Sequence, residues 1–514
     1  MANSRIQKSL MNAQVNVAFY VVSVILAFFS RKYFLQNLGT EFLGLSGTLG
    51  DMLNLMNITE LGIGSAVGVT LYKPIFDKDH EKINDIISVF GFLYTRVGSI
   101  IAGAGIILSC FFPMMFAKAG VPLFLVYLMF YSMLYSALLG YFVNYKQIIL
   151  SASQQNYVIM LRYNTAITLK VILQIVTSFL PYNYLWWIAL EAITITVYTF
   201  ILNGTIRKYF PWLESSVKRG KEKFKEYKNL WTKTKQVFVL KLSHLVFNSS
   251  TNILIAAFVN LSTVALYGNY NMLMSKITAF VDGIFTGMEA SVGNLIAEGD
   301  KDNIMKVFNE LLCIRYFLAA LCSVTLYYIC SPFIVVWLGT EYVMADKIIL
   351  LLALHFYIQQ ARIAVDNFKN GYGLYGDVWA PIAEVVMMVG IAVVLGSMFG
   401  IEGILAGLIT SELLIKMFWK PYYLFSRGFE LSVLRYYWPL IIKYLIATSL
   451  AVLGLHIFTG WLQGLLDMTE WMGVIIYCIA VGCVTLCLLF LLFLVLDRNM
   501  MVFIHHLKSF ISKK

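Results

Sequence analysis

The feature that most limits what this chain can fold into is its repeated apolar stretches, each long enough to cross a lipid bilayer. Fourteen such runs fall at 13–38, 42–72, 86–116, 122–148, 158–180, 184–203, 236–259, 264–297, 304–330, 346–372, 378–399, 401–426, 436–458 and 471–496. About 20 helical residues span the roughly 30 Å of hydrocarbon, and a helix satisfies every backbone donor and acceptor without water. The sequence is 60% hydrophobic and only 13% charged, with a mean hydropathy of +0.75, which is more apolar surface than a soluble core can bury. These observations predict an all-α integral membrane protein with about 14 transmembrane helices. Arg5 and Lys8 precede the first run, but no small-x-small cleavage site follows Leu26, so that run reads as an uncleaved first helix.

Orientation follows from where the cations fall. With the N-terminus inside, most of the 39 Lys and Arg residues lie in inner loops and tails, and the other side receives at most Arg31, Lys32, Lys118 and Lys347. That asymmetry is the positive-inside pattern, and an even helix count then puts both termini in the cytoplasm.

The ordinary marks of soluble chemistry are missing. The seven cysteines lie in apolar runs without a C-x-x-C pair and read as small hydrophobes, and the six histidines show no H-E-x-x-H, so no metal site is expected. Gly371-Tyr372-Gly373-Leu374-Tyr375-Gly376 spells a dinucleotide fingerprint, yet it follows a transmembrane run instead of a strand. It reads as a turn in which glycine supplies positive φ. No Walker P-loop is present, so energy is expected from an H+ or Na+ gradient or the membrane potential, with no cofactor.

The chain also repeats itself. A shift of 221 residues lays Gly47 on Gly268 and Gly62 on Gly283, and a shift of 223 lays Asp77-Lys78-Asp79 on Asp300-Lys301-Asp302. Six helices separate the copies, and an even number per repeat makes them parallel about an axis along the membrane normal. The expected organisation is a first lobe at 1–203, a basic cytoplasmic linker at 204–235, a second lobe at 236–428, and helices 13 and 14 with a basic tail at 429–514. Two six-helix lobes related by a pseudo-twofold should then enclose the substrate path. Within the linker, Phe224, Tyr227 and Trp231 share one helical face among lysines, which suits either a helix on an anionic leaflet or a solvated basic segment.

Transport chemistry must come from polar groups inside the bilayer. Arg96, Arg162, Lys170, Lys241, Lys276, Arg315, Arg362 and Lys443 all fall within the runs. Each would cost about 3 kcal/mol if it faced lipid at mid-membrane, and the set on the order of 20 kcal/mol. Arg362 with Asp366 and Glu412 with Lys416 are four apart and can pair on one helix face. Arg162, Lys241 and Lys443 lie near enough to helix ends to snorkel. Arg96, Lys170, Lys276 and Arg315 remain, joined by Arg31 and Lys32 if the first helix reaches residue 38. They line either a wet cationic cavity or structural pairs with Asp51, Glu60, Asp282 or Glu289. A cationic cavity implies an anionic cargo, and the arginine fork suits pyrophosphate. Asn54, Asn57, Asn144, Asn248, Asn252, Asn269 and Asn271 are groups of the kind that bind sugar hydroxyls or bridge helices.

Residues 31–74 carry a resemblance. Arg31, Leu38-Gly39, Glu41, Gly44-Leu45, Glu60-Leu61-Gly62 and Leu71-Tyr72-Lys73-Pro74 look like the opening of the polysaccharide transporter family, the O-antigen and capsule flippases of the MOP exporter superfamily. The block beginning Leu266-Tyr267-Gly268 is similar to that family's eighth helix. The resemblance implies two lobes opening alternately to either side of a bacterial plasma membrane. It also implies a flippase that carries undecaprenyl-pyrophosphate-linked oligosaccharide, an O-antigen, capsule or exopolysaccharide unit, from the inner to the outer leaflet. Partners would be the lipid-linked oligosaccharide, membrane lipids, and the polymerase and glycosyltransferases of the same polysaccharide or lipopolysaccharide pathway, with no nucleic acid. Arg31 is carried over as a cavity cation, and Glu41 and Glu60 as motif positions for gating or packing. Asp51, Asp282 and Glu289 are further candidates for gating or ion coupling.

Three alternatives stand beside this reading. Lipid II flippases of the same superfamily also have fourteen helices, but Lys32 follows Arg31 where they place a pairing aspartate. A multidrug exporter would need an acidic or apolar cavity for cationic drugs. A membrane glycosyltransferase or polymerase would use acidic residues and usually a large outer loop; the two Asp-Lys-Asp turns mimic a metal-binding D-x-D, but no long outer loop exists. The chain therefore reads as a transporter and not an enzyme.

Overall fold

A computed structural model describes residues 2–56, 63–117, 119–226, 243, 245–247, 249–285 and 288–502. All regular structure among them is helical, and ten helices are long and apolar enough to cross a membrane by length and composition. The chain is an all-α membrane protein. The other four expected runs differ for local reasons. The run at 42–72 continues the first helix to Met56 and resumes at Ile63, with the residues between outside the description. The run at 236–259 lies partly outside it. The run at 264–297 is two helices, and 401–426 is cut by π-helical turns.

We number α1 Ala2–Met56, α2 Ile63–Asp77, α3 His80–Ser109, α4 Leu123–Phe142, α5 Asn156–Thr177, α6 Asn183–Tyr209, α7 Val217–Lys223, α8 Leu261–Ile284, α9 Met288–Glu298 and α10 Lys301–Trp337. Then follow α11 Asp346–Ala361, α12 Ile363–Gly371, α13 Trp379–Phe399, α14 Ile401–Glu412, α15 Trp438–Gln463 and α16 Trp471–Leu496; shorter turns are unnumbered. Contacts divide the chain into two compact units, 1–265 and 266–514.

In the first unit α1 breaks at Gly39, whose φ of 81° is open to glycine at no steric cost, between the two expected runs. Beyond the break Gly44 meets the start of α8 so closely that a Cβ there would lie 1.8 Å from the Leu261 carbonyl oxygen. Close backbone approach through a small residue is how helices gain packing where lipid supplies no hydrophobic drive. Thr40 Oγ1 donates to Ser262 Oγ at 2.9 Å beside it.

The internal repeat reappears as local structure, and it selects one register. α2 ends at Asp77 and α9 at Glu298, while α3 begins at His80 and α10 at Lys301, each pair 221 apart. Asp79 caps α3 by accepting from the Lys82 amide, and Asp300 caps α10 by accepting from the Asp302 and Asn303 amides. The 223-residue match of the two Asp-Lys-Asp strings is therefore a coincidence of composition. The equivalent residues are Asp79 and Asp300, and both are N-caps that satisfy orphan helix donors.

The first part of the expected linker is a docked element. Asn84 of α3 donates to the Trp212 carbonyl and accepts from the Glu214 amide, and the Arg219 guanidinium meets Asp85 at 2.5 Å. Gly220 of α7 sits against the Ser88 carbonyl, where a Cβ would come to 2.0 Å. Phe224 packs edge-on to Phe92 at 5.7 Å instead of facing lipid, and Tyr227 and Trp231 lie outside the described residues.

In the second unit α10 packs with α11 and α16, and α15 runs back along α16. Phe308, Phe368, Phe425 and Phe429 form an edge-to-face cluster with centroids 5.0–5.9 Å apart. α13 and α14 meet backbone to backbone at Gly403, where a Cβ would lie 2.1 Å from the Leu395 carbonyl oxygen. Gly373 turns the chain after α12 with φ of +67°, so the G-x-G-x-x-G string is a helix-ending turn. Cys313 and Cys330 are buried as expected, whereas Cys110, Cys483 and Cys487 are exposed on helix surfaces that a bilayer would cover.

Candidate functional site: charged groups within the helices

Each unit presents its own set of intramembrane charges. In the first, Arg31 is half-buried in the first arm of α1, and its Nη2 donates to the Ala265 carbonyl at 2.6 Å. Lys32 is half-buried beside it. Arg96 is exposed on α3 with its guanidinium carbon 4.5 Å from the Phe92 ring centre. Lys170 of α5 makes a bidentate pair with Glu191 of α6 at 2.8 and 2.9 Å. Its carboxylate partner was not among those foreseen, and no local spacing in the sequence points to it. Arg162 holds α5 to α6 by donating to Thr205 Oγ1 at 2.9 Å, and it donates within α5 to the Val158 carbonyl at 3.0 Å.

The acidic candidates of this unit have distinct surroundings. Asp51 accepts from Asn252 Nδ2 at 2.7 Å. Glu41 is exposed, and its carboxylate fills the space over Gly120, where a Cβ would come within 2.1 Å of it. Glu60 lies outside the described residues, as do Asn57, Asn248 and Lys241. Asn144 bridges helices, donating to Thr199 Oγ1 at 2.9 Å and accepting from Asn203 at 3.1 Å.

In the second unit Arg315 of α10 is the most telling residue. Only 3% of it is exposed, and its guanidinium carbon stacks 3.9 Å from the Phe285 ring centre. The nearest carboxylate is Asp282, 3.9 Å away and half exposed. Among the described residues, Nε and Nη1 of Arg315 have no hydrogen-bond partner. A buried N–H left unused costs about 1–3 kcal/mol, and a charged one more, so among the described residues the geometry holds donor capacity without an acceptor. Lys276 is half-buried on α8, the helix that carries Asp282, and Glu289 accepts from Asn370 Nδ2 at 2.9 Å.

The same unit holds a larger charge network. Glu412, with no exposed surface, accepts from Gln359 at 2.6 Å, meets His355 Nδ1 at 2.8 Å and pairs with Lys416 at 2.8 Å. Lys416 also reaches Glu384 of α13 at 2.9 Å. Gln359 accepts from Arg362, which pairs with Asp366, and Asp366 meets Lys420 at 2.7 Å. The Arg362–Asp366 and Glu412–Lys416 pairs are the two i, i+4 contacts expected from spacing. His355, Gln359, Glu384 and Lys420 join them from other helix segments. Lys416 lies in a π-helical turn, Leu413–Trp419.

No protein-family profile matches this sequence, and no curated protein matches it either. Solved structures do. The lipid II flippase MurJ in its inward closed conformation superposes with a TM-score of 0.62 at 15% identity, covering 92% of this chain and 98% of that one. A multidrug resistance MATE family transporter of the MOP superfamily, inward-facing, superposes at 0.57 with 14% identity over 79% of this chain and 93% of its own. A MOP superfamily transporter from Pyrococcus furiosus does so at 0.50, with 14% identity over 83% and 97%. At these identities the likeness is one of fold. The chain shares its fold with these transporters.

Proposed function

We propose that the chain is a flippase that moves an undecaprenyl-pyrophosphate-linked oligosaccharide from the inner to the outer leaflet of a bacterial plasma membrane, with both termini in the cytoplasm. The observation that carries this reading is Arg315. A buried guanidinium whose Nε and Nη1 have no hydrogen-bond partner among the described residues offers what a phosphate oxygen needs, and its planar fork binds such oxygens in pairs. The aromatic ring beneath it fixes the fork without neutralising it. Arg31, Lys32, Arg96, Lys170 and Lys276 are the further cations proposed for the transport path. Lys170 serves it only when Glu191 releases it. Asp51, Asp282, Glu289, Glu41 and Glu60 are the proposed gating or coupling carboxylates. Chemistry on a bound substrate is not part of this role; binding groups need only be exposed to one side and then the other, driven by an ion gradient or the membrane potential.

A second reading has its own support. The chain aligns with the lipid II flippase over 92% of its own length and 98% of that chain. Lipid II also presents a pyrophosphate on a polyprenyl chain, so the two readings share the anion and differ in the sugar. The separating experiment places the purified chain in liposomes with a polyprenyl-pyrophosphate oligosaccharide, lipid II or a lipophilic cationic dye, and measures movement of each across the bilayer. Movement of the oligosaccharide lipid supports the first reading and preference for lipid II the second. Movement of the dye alone would overturn both.

A further inference from the structure

Two cations of the first unit belong to none of the groups described above. α4 stops at Phe142, and a 3-10 turn follows at Asn144–Gln147. The turn is pinned from both sides. Asn144 is buried and bridged to Thr199 and Asn203 of α6, while the Tyr145 ring lies over Gly91 of α3, where a Cβ would meet it at 2.6 Å. This anchoring delivers Lys146 into a cavity of about 480 Å³ between α4, the turn and α6, where Arg207 of α6 is the second cation. Leu139, Phe142, Phe200 and Tyr135 continue the cavity as an apolar wall along the helices. Phe200 is 76% exposed and Phe142 39%, so this wall faces whatever surrounds the helices.

The electrostatics ask for an anion. Neither Lys146 nor Arg207 makes an ion pair among the described residues. Burial, and then the positive charge of Arg207, hold the Lys146 ammonium below its usual pKa. A rigid turn that holds two like charges beside each other at the mouth of an apolar groove is unfavourable unless something negative occupies it. The cavity also lies at the end of α4 and α6 that carries Arg207, Lys208 and the basic α7 region, so it sits at headgroup depth if the helices span a bilayer. Basic pockets between transmembrane helices at that depth take the phosphates of anionic lipids.

We infer that this pocket holds the headgroup phosphate of an anionic phospholipid from the leaflet on the chain's basic side, with Lys146 and Arg207 on the phosphate and an acyl chain along Leu139, Phe142 and Phe200. The lipid is a fixed ligand of the first unit, separate from any transported cargo, and the inference does not depend on what that cargo is.

The test uses the purified full chain in nanodiscs of phosphatidylcholine, with phosphatidylglycerol or cardiolipin titrated in and bound lipid counted by native mass spectrometry. The anionic lipids should be retained and phosphatidylcholine not. The Lys146→Gln/Arg207→Gln variant should bind them roughly 30-fold more weakly, since each cation near a membrane surface contributes about fivefold. Lys146→Arg should restore most of the binding in the Arg207 background, and Lys208→Gln, an exposed neighbour, should leave it unchanged. Melting of each variant in neutral lipid confirms that it is folded. Unaltered anionic-lipid retention by the folded double variant would overturn the proposal. So would equal retention of phosphatidylcholine, or displacement of the lipid by millimolar inorganic phosphate, which would make the site one for a free anion.

Discussion

The two units place charge within their helices in opposite ways. In the second, Glu384, Lys416, Glu412, His355, Arg362, Asp366 and Lys420 form a continuous network in which every carboxylate has a cation within 3 Å. In the first, cations stand further apart, and they are met by different devices. Arg31 donates to a backbone carbonyl, Arg162 to a hydroxyl and a carbonyl, Arg96 lies by an aromatic face, and Lys170 and Arg219 each meet a carboxylate. A charge network that neutralises itself fixes helices; cations held by neutral groups keep their net charge for a ligand. Arg315 in the second unit departs from this network, because it is buried yet its Nε and Nη1 have no hydrogen-bond partner among the described residues.

The largest effect should come from breaking the network. Lys416→Met takes the cation from Glu384 and leaves Glu412 to Gln359 and His355, and removal of one partner of a buried pair costs about 3–5 kcal/mol. Thermal melting in detergent and the amount of folded protein in membranes should both fall sharply. If Lys416→Met melts like wild type, the network is not structural and the comparison fails.

A smaller loss is expected in the first unit. Glu191→Gln leaves Lys170 without its carboxylate, but both are partly exposed, so about 1–2 kcal/mol is expected. The paired change Lys170→Met/Glu191→Leu should recover most of it, as read by the same melts in a double-mutant cycle.

Arg315→Gln sharpens the contrast from the other side. Because its Nε and Nη1 have no hydrogen-bond partner among the described residues and Asp282 is half exposed, its loss should change stability by no more than about 1 kcal/mol while reducing transport. A melting drop as large as that of Lys416→Met would make Arg315 a structural cation.

The smallest expected effect tests the repeat. Asp79→Ala and Asp300→Ala each remove an N-cap and should each cost about 1 kcal/mol, equally within error. A tenfold difference in unfolding equilibrium between them would show that the two turns are not equivalents.

Much of the fold was legible because it is written locally. Apolar length pointed to fourteen spans, of which ten stand as long apolar helices among the described residues, the Leu38-Gly39 junction fell on the break in α1 at Gly39, and i, i+4 spacing gave two ion pairs. What escaped notice was non-local or lacked a sequence signal. Lys170 and Glu191 meet from different helices, His355 and Glu384 reach Glu412 and Lys416 through tertiary packing, and no residue pattern announces the π turn at Leu413–Trp419. The repeat was visible, but the Asp-Lys-Asp strings matched best at 223, a register that composition favours and capping rejects. Lys146 and Arg207 carried no expectation from sequence, because the turn that brings Lys146 to α6 depends on Asn144 bonding across 55 residues.

The most direct test of the account is transport of a polyprenyl-pyrophosphate-linked oligosaccharide by the variant Arg31→Gln/Arg96→Gln/Lys276→Gln/Arg315→Gln, with membrane abundance and melting measured on the same samples. Loss of transport at normal abundance and melting is the predicted result, with Arg31→Lys alone already impaired because a point charge replaces a bidentate fork. Normal transport by the well-folded quadruple variant would contradict a cationic path for an anionic cargo.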